Sequence, residues 1–176
     1  MDRFYFVIQT KMEKEDYKKF LYLATFFRNK LTLPMILLLA LLGSAAIQLT
    51  EGAFSLVPFL VVTILMFVVA VAALCFQVER KNKQRVSTDK TGAFGSISTL
   101  RFGEEVIEME NEAMHSSGEL RYDQIYQLLE THDYFIFYLT ANQASLVRKK
   151  DVTDVAAFRT FLEEKFAGKY KKMGKV

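Results

Sequence analysis

The stretch LTLPMILLLALLGSAAIQL at 31–49, followed after a short linker by PFLVVTILMFVVAVAALCFQV at 58–78, decides how the rest of the chain is read. Neither run carries a charged residue. A helix that crosses a bilayer needs about 20 mostly apolar residues, because a rise of about 1.5 Å per residue must cover about 30 Å of hydrocarbon. Both runs meet that need, the first by drawing on a residue or two at its ends. Pro34 and Pro58 stand near the starts of their runs, where a missing N–H costs least. Gly43, Ser44, Ala45 and Ala46 in the first run, and Ala70, Ala72 and Ala73 in the second, are small enough for close helix approach, in a hairpin or in a homodimer. A pair of buried helices in a soluble protein is disfavoured, since two such runs separated by a turn in so short a chain would leave no polar face on either helix. A signal peptide is disfavoured too, since Glu13, Glu15 and Asp16 precede the first run.

Basic residues close to the runs set the orientation. Lys18, Lys19, Arg28 and Lys30 precede the first; Arg80, Lys81, Lys83 and Arg85 follow the second; the linker holds only Glu51. The positive-inside rule then predicts a two-pass protein of the cell membrane with both termini in the cytoplasm. Removing two spans from 176 residues leaves room for one small soluble domain. Basic residues exceed acidic ones by 23 to 20, and much of the excess sits beside the runs, which disfavours nucleic-acid binding. The single cysteine, Cys75, lies in the second run and offers neither an intramolecular disulfide nor a cysteine metal site.

Outside the runs the periodicity changes. Phe4, Phe6 and Ile8 alternate with Tyr5, Val7 and Gln9, which predicts a strand over about 3–12. Glu13-Lys14-Glu15-Asp16 suits a helix start, with Tyr17, Phe20, Leu21, Ala24 and Phe27 at helical spacing behind it. Strands are expected at 97–102 and 106–110, joined through Gly103-Glu104, then around 113–115, 119–122, 125–130, 134–140 and 144–148. The run Tyr134-Phe135-Ile136-Phe137-Tyr138-Leu139 is apolar on both faces and predicts a central strand. A helix over 153–167 carries Val155, Phe158, Leu162 and Phe166 on one stripe with Phe161 beside it, while Arg159, Glu163 and Glu164 face away. Asp151, Thr153 and Asp154 are its capping candidates and Gly168 its stop.

The expected fold is therefore an α+β membrane protein: a two-helix transmembrane hairpin inserted in a pleckstrin-homology-like antiparallel β domain closed by a C-terminal helix. Its parts are a cytoplasmic strand and juxtamembrane helix (1–30), the hairpin (31–78, with its turn at 50–57), a basic connector (79–95), the β-rich domain (96–168) and a mobile basic tail (169–176). The N-terminal strand is free to pair with the strands after Ile97, making the domain discontinuous.

Several short motifs carry a resemblance. They are Glu15-Asp16-Tyr17 before the hairpin, then Phe102-Gly103-Glu104-Glu105-Val106-Ile107, Gly118-Glu119-Leu120-Arg121-Tyr122-Asp123-Gln124-Ile125 and Glu130-Thr131-His132-Asp133-Tyr134-Phe135. Leu146-Val147-Arg148-Lys149-Lys150-Asp151 and Phe158-Arg159-Thr160-Phe161-Leu162 complete the set. In layout and pattern the chain resembles the YcxB-like family of bacterial membrane proteins. The resemblance implies a membrane-anchored, pleckstrin-homology-like module and brings no catalytic residues. Family members often carry a proline before the basic pair; here Arg148 precedes Lys149 and Lys150.

No constellation commits the chain to a chemistry. His115 and His132 have no ligand spacing, and the glycine-rich phosphate and nucleophile-elbow motifs are missing. No catalytic residue, cofactor or metal is expected. Glu108, Glu110 and Glu112, two apart on a strand, form an acidic face that would attract a basic partner. Arg80, Lys81, Lys83, Arg148, Lys149 and Lys150 are the candidate lipid- or partner-binding residues, each cation near an anionic surface contributing about 1 kcal/mol. The expected function is that of a non-enzymatic inner-membrane scaffold or adaptor. Its contacts would be membrane lipids, a protein partner by strand addition, and a second copy in a homo-oligomer. The alternative is an anionic-lipid-sensing module using the basic surface around Arg148-Lys150.

Overall fold

The computed structural model describes residues 4–173 apart from positions 29, 51, 53, 91 and 142. The protein is α+β and divides into two units. One is Lys14–Thr88; the other joins the segment ending at Glu13 to the chain from Asp89 onward.

The Lys14–Thr88 unit is helical. Helix α1 (Lys14–Tyr22) opens with Glu15 and Asp16 in its first turn, where carboxylates complement the helix dipole. A π-helical turn, Leu23–Phe27, follows it. Helices α2 (Thr32–Thr50) and α3 (Leu56–Thr88) are each long and apolar enough to cross a membrane, with mean hydropathies of 2.0 and 3.0 over their most apolar windows. Their burial pattern is inverted. Helix α2 buries Ala40, Ser44 and Gln48, four apart on one face, and turns Leu37, Leu38, Leu39 and Leu42 outward. The Ser44 hydroxyl donates to the Phe59 carbonyl at 2.8 Å, and the Gln48 Oε1 accepts from the Ser55 N–H at 2.9 Å. Gly43 stands where a Cβ would come within 2.6 Å of Met66 Cε. Helix α3 does not end at Val78 but carries the basic run on to Thr88, giving it 33 residues. Residues 79–88 of the expected connector are thus the end of a helix. The Glu79 carboxylate there accepts the Lys18 ammonium at 2.7 Å and the Tyr22 hydroxyl at 2.9 Å, fastening α1 to α3.

The second unit holds two four-stranded sheets. Strands β1 (Phe6–Lys11), β2 (Ile97–Phe102), β3 (Val106–Asn111) and β4 (Ser116–Arg121) form an antiparallel sheet in sequence order. The N-terminal strand pairs with the first strand after the helices, Phe6 opposite Phe102 and Lys11 opposite Ile97. The other sheet has the order β7 (Ala144–Arg148), β6 (Tyr134–Tyr138), β5 (Gln127–Glu130), β8 (Tyr170–Lys172). All five residues of β6 are buried and the strand is internal, as its two-sided apolar pattern predicts. A single helix, α4 (Val155–Lys165), completes the unit, with the Asp154 carboxylate accepting the Ala157 N–H at its N-terminus. Phe158, Leu162 and Phe166 enter a core with Phe102, Ile107, Phe135 and Phe137. The Phe158 ring meets those of Phe102, Phe6 and Phe135 at 4.9, 5.1 and 5.3 Å between centroids.

Two local expectations, at 113–115 and in the C-terminal tail, are corrected. Residues 113–115 form a turn rather than a strand: Asn111 Oδ1 accepts the Met114 N–H at 3.0 Å, and His115 adopts a φ of 44°. The break expected at Asp123-Gln124, between the strands at 119–122 and 125–130, is a 3₁₀ turn, Tyr122–Gln124. The C-terminal basic segment is not a loose tail through Lys172. Gly168, at a φ of 80°, reverses the chain after α4, and β8 runs parallel to β5 with Leu128 opposite Tyr170. Between the strands expected at 134–140 and 144–148, the sequence turns the chain at Ala141-Asn142-Gln143, of which position 142 lies outside the described residues.

Candidate functional site

Charge in the β unit is organised around two carboxylates, Glu130, which the sequence reading gives no role, and Asp151, which it offers only as a helix cap. Glu130 ends β5 and is buried, at 5% exposure. Its Oε1 accepts from Lys149 Nζ at 2.6 Å and from Arg159 Nη2 and Nε at 2.8 and 2.9 Å. Its Oε2 accepts the Tyr170 hydroxyl at 2.5 Å. Burial alone would raise the Glu130 pKa, but the hydrogen bonds from Arg159, Lys149 and Tyr170 outweigh it and hold the group down at about 2. The same contacts push the Tyr170 phenol upward, burial being the larger cause and the carboxylate the next. One side chain thereby ties together β5, the 3₁₀ turn after β7 (Lys149–Asp151), α4 and β8. Arg159 does not face away with Glu163 and Glu164; it reaches inward to this carboxylate.

Asp151 is the second centre. It accepts Arg148 Nε at 2.6 Å, Arg148 Nη2 at 2.9 Å and the Thr10 hydroxyl at 2.6 Å. Arg148 Nη1 lies 3.3 Å from Glu13. Burial would raise the Asp151 pKa, yet the bonds from Arg148 and Thr10 leave it lowered. This group joins β1 to β7, the edge strands of the two sheets.

The sequence-read candidates therefore separate. Arg148 is buried at 6% exposure and committed to Asp151 and Glu13, whereas Lys149 is committed to Glu130. Lys150 is exposed. Arg80, Lys81 and Lys83 stand exposed on the last turns of α3, in the other unit. Arg159 and Tyr170 lie outside the sequence reading of the site, whereas Lys172 belongs to the basic tail residues, with Lys169 and Lys171, that the sequence groups with Arg148-Lys149-Lys150 as a surface for anionic lipid. The signal for Tyr170 was an aromatic residue set in a basic run.

On the outer face of the first sheet, Arg101 Nη2 pairs with Glu110 at 2.9 Å, and Glu108 stands directly opposite Glu119. Glu112 lies in the turn beyond β3. Strand β4 is the sheet's edge, and five of its six residues are exposed. No described strand pairs with its outer side. His115 and His132 are both exposed, and no group of three potential metal ligands occurs among the described residues.

The fold and these groups define a class: an α+β protein with two helices long and apolar enough to span a membrane, joined to a β unit closed by one helix. Residues 102–162 match the family model described as YcxB-like protein, a segment running from the end of β2 into α4. The resemblance to the YcxB-like family is thus supported over most of the β unit. No curated protein and no solved structure matches the chain.

Proposed function

We propose that the chain is a two-pass protein of the cell membrane with both termini in the cytoplasm, whose β unit is a pleckstrin-homology-like module interrupted by the membrane hairpin. The module acts as a non-enzymatic adaptor, taking a protein partner by strand addition. The inverted burial of α2 and α3 supports the membrane reading, since apolar side chains facing outward suit lipid and not water. The basic residues flanking both helices support the orientation. A four-stranded and a further sheet, closed by a C-terminal helix, support the pleckstrin-homology-like reading.

The observation that carries the adaptor reading is the edge of β4: six residues of ladder with only β3 alongside and five of the six residues exposed. A photo-crosslinking residue at Ser117, in the full chain in native membranes, is expected to capture one defined partner or a second copy. Finding only monomer, with β4 amides protected from hydrogen exchange as strongly as those of β2, would refute it. The alternative of an anionic-lipid-sensing module around Arg148-Lys150 keeps Lys150 as its exposed cation in the β unit; Arg80, Lys81 and Lys83 are exposed separately on α3.

A further inference from the structure

Beside Glu130 the β unit has a surface pocket of about 330 Å³, lined by Glu130, Thr131, His132, Lys149, Arg159, Lys172 and Met173. We propose that this pocket binds a phosphomonoester group, presented by a lipid headgroup or by a small soluble anion. The proposal is independent of the β4 edge and does not rest on the adaptor reading.

The walls carry more positive charge than Glu130 requires. Three cations, Lys149, Arg159 and Lys172, face one carboxylate. That carboxylate is saturated by donors and keeps its charge without Lys172, which is paired at the rim with Glu163 at 2.5 Å. Both members of that rim pair are well exposed, at 58% and 42% for their side chains, so it is the weak kind of ion pair that water and salt readily open. With Lys172 turned inward, two positive charges along the walls are uncompensated. A phosphomonoester, carrying about −1.5 to −2 near neutral pH, matches that balance.

Donors are also left over. Arg159 spends Nε and Nη2 on Glu130, and its Nη1 has no acceptor among the described residues. Lys149 spends one of three N–H bonds on Glu130. The donors come from separate elements and so approach from different directions. That arrangement suits a tetrahedral oxyanion better than a planar carboxylate, which one guanidinium edge satisfies alone.

The test uses the full chain in nanodiscs of neutral phosphatidylcholine. Inorganic phosphate and glycerol 3-phosphate are titrated by calorimetry. Phosphatidic acid retained against phosphatidylcholine is counted by native mass spectrometry. Single-site binding of at least one of these is expected, soluble binding pointing to a small anion and phosphatidic acid alone to a headgroup. Lys172→Glu and Arg159→Leu should each weaken it about tenfold or more, as expected for losing a charged hydrogen bond. Glu130→Gln, which removes the competing carboxylate, should bind the anion at least as tightly as the unaltered chain. Because Lys172 is exposed, its variant tests the site even if Arg159→Leu fails to fold. Absence of all three complexes, or complexes unaffected by Lys172→Glu, would overturn the proposal.

Discussion

Replacing Glu130 by Gln isolates the contribution of the carboxylate that gathers four elements of the β unit. A fall of its pKa from 4.5 to about 2 corresponds to about 3 kcal/mol, each tenfold change in proton affinity being about 1.4 kcal/mol. The raised Arg159 and Tyr170 values report the same contacts from the other side and add nothing further. Because the folded value lies below the unfolded one, the native state binds fewer protons than the unfolded chain between them. The stabilisation is therefore complete above about pH 4.5 and disappears as the pH falls toward 2. Glutamine keeps an acceptor for Arg159 and Tyr170 but leaves Lys149 and Arg159 facing each other without a counter-charge. A loss of about 2–3 kcal/mol at neutral pH follows, which for a unit of this size lowers Tm by about 10 °C or more. The assay compares the thermal midpoints of the full chain and the variant from pH 7 down to pH 2. Hydrogen exchange on β5, β8 and α4 then locates the loosening. The gap between the two proteins should close as the pH falls through this window. A gap that is absent at pH 7, or that persists unchanged at pH 2, would refute the assignment of Glu130 as the charged centre of this group.

Two other substitutions test the packing of each unit. Phe158→Ala deletes a ring with no exposed surface that packs against Phe6, Phe102, Phe135 and Phe161, so a loss of about 3–5 kcal/mol is expected in the unfolding of the β unit, and a loss under 1 kcal/mol would contradict the packing described. Ser44→Ala removes the buried hydroxyl that donates to the Phe59 carbonyl; inter-helix hydrogen bonds in lipid average about 0.6 kcal/mol, so steric trapping of the hairpin in bicelles should read a loss of that order, and one above about 2 kcal/mol would mean that Ser44 does more than hold the two helices together.

What could be read from the sequence follows the range of the interactions involved. The apolar runs, the buried strand at Tyr134–Tyr138 and the stripe Phe158, Leu162, Phe166 are local periodicities, and each element lies close to where the pattern puts it. The turn at 113–115 was misread because Ala113 and Met114 have no strong preference and the deciding group, the Asn111 side chain, acts on the backbone. Strand β8 escapes the local pattern for the opposite reason. Lys169, Lys171 and Lys172 read as a solvated charge run, and only the parallel pairing with β5 gives that run an ordered place.

The charge clusters show the same limit more sharply. Arg148, Lys149 and Lys150 are consecutive, and a sequence reading treats them as one basic surface. Alternation along the end of β7 and the 3₁₀ turn after it sends them to different surroundings: Arg148 to Asp151 and Glu13, Lys149 to Glu130, Lys150 to solvent. Of their acceptors, Asp151 is three residues from Arg148, but Glu13 and Glu130 come from elsewhere in the fold. A buried cation is stable only with such partners, since desolvation without them would cost several kcal/mol. The tertiary fold that supplies them therefore also decides which cations remain for a ligand. That shifts the basic site from the sequence triplet to the place where Arg159 and Lys172 join Lys149 around a carboxylate already satisfied.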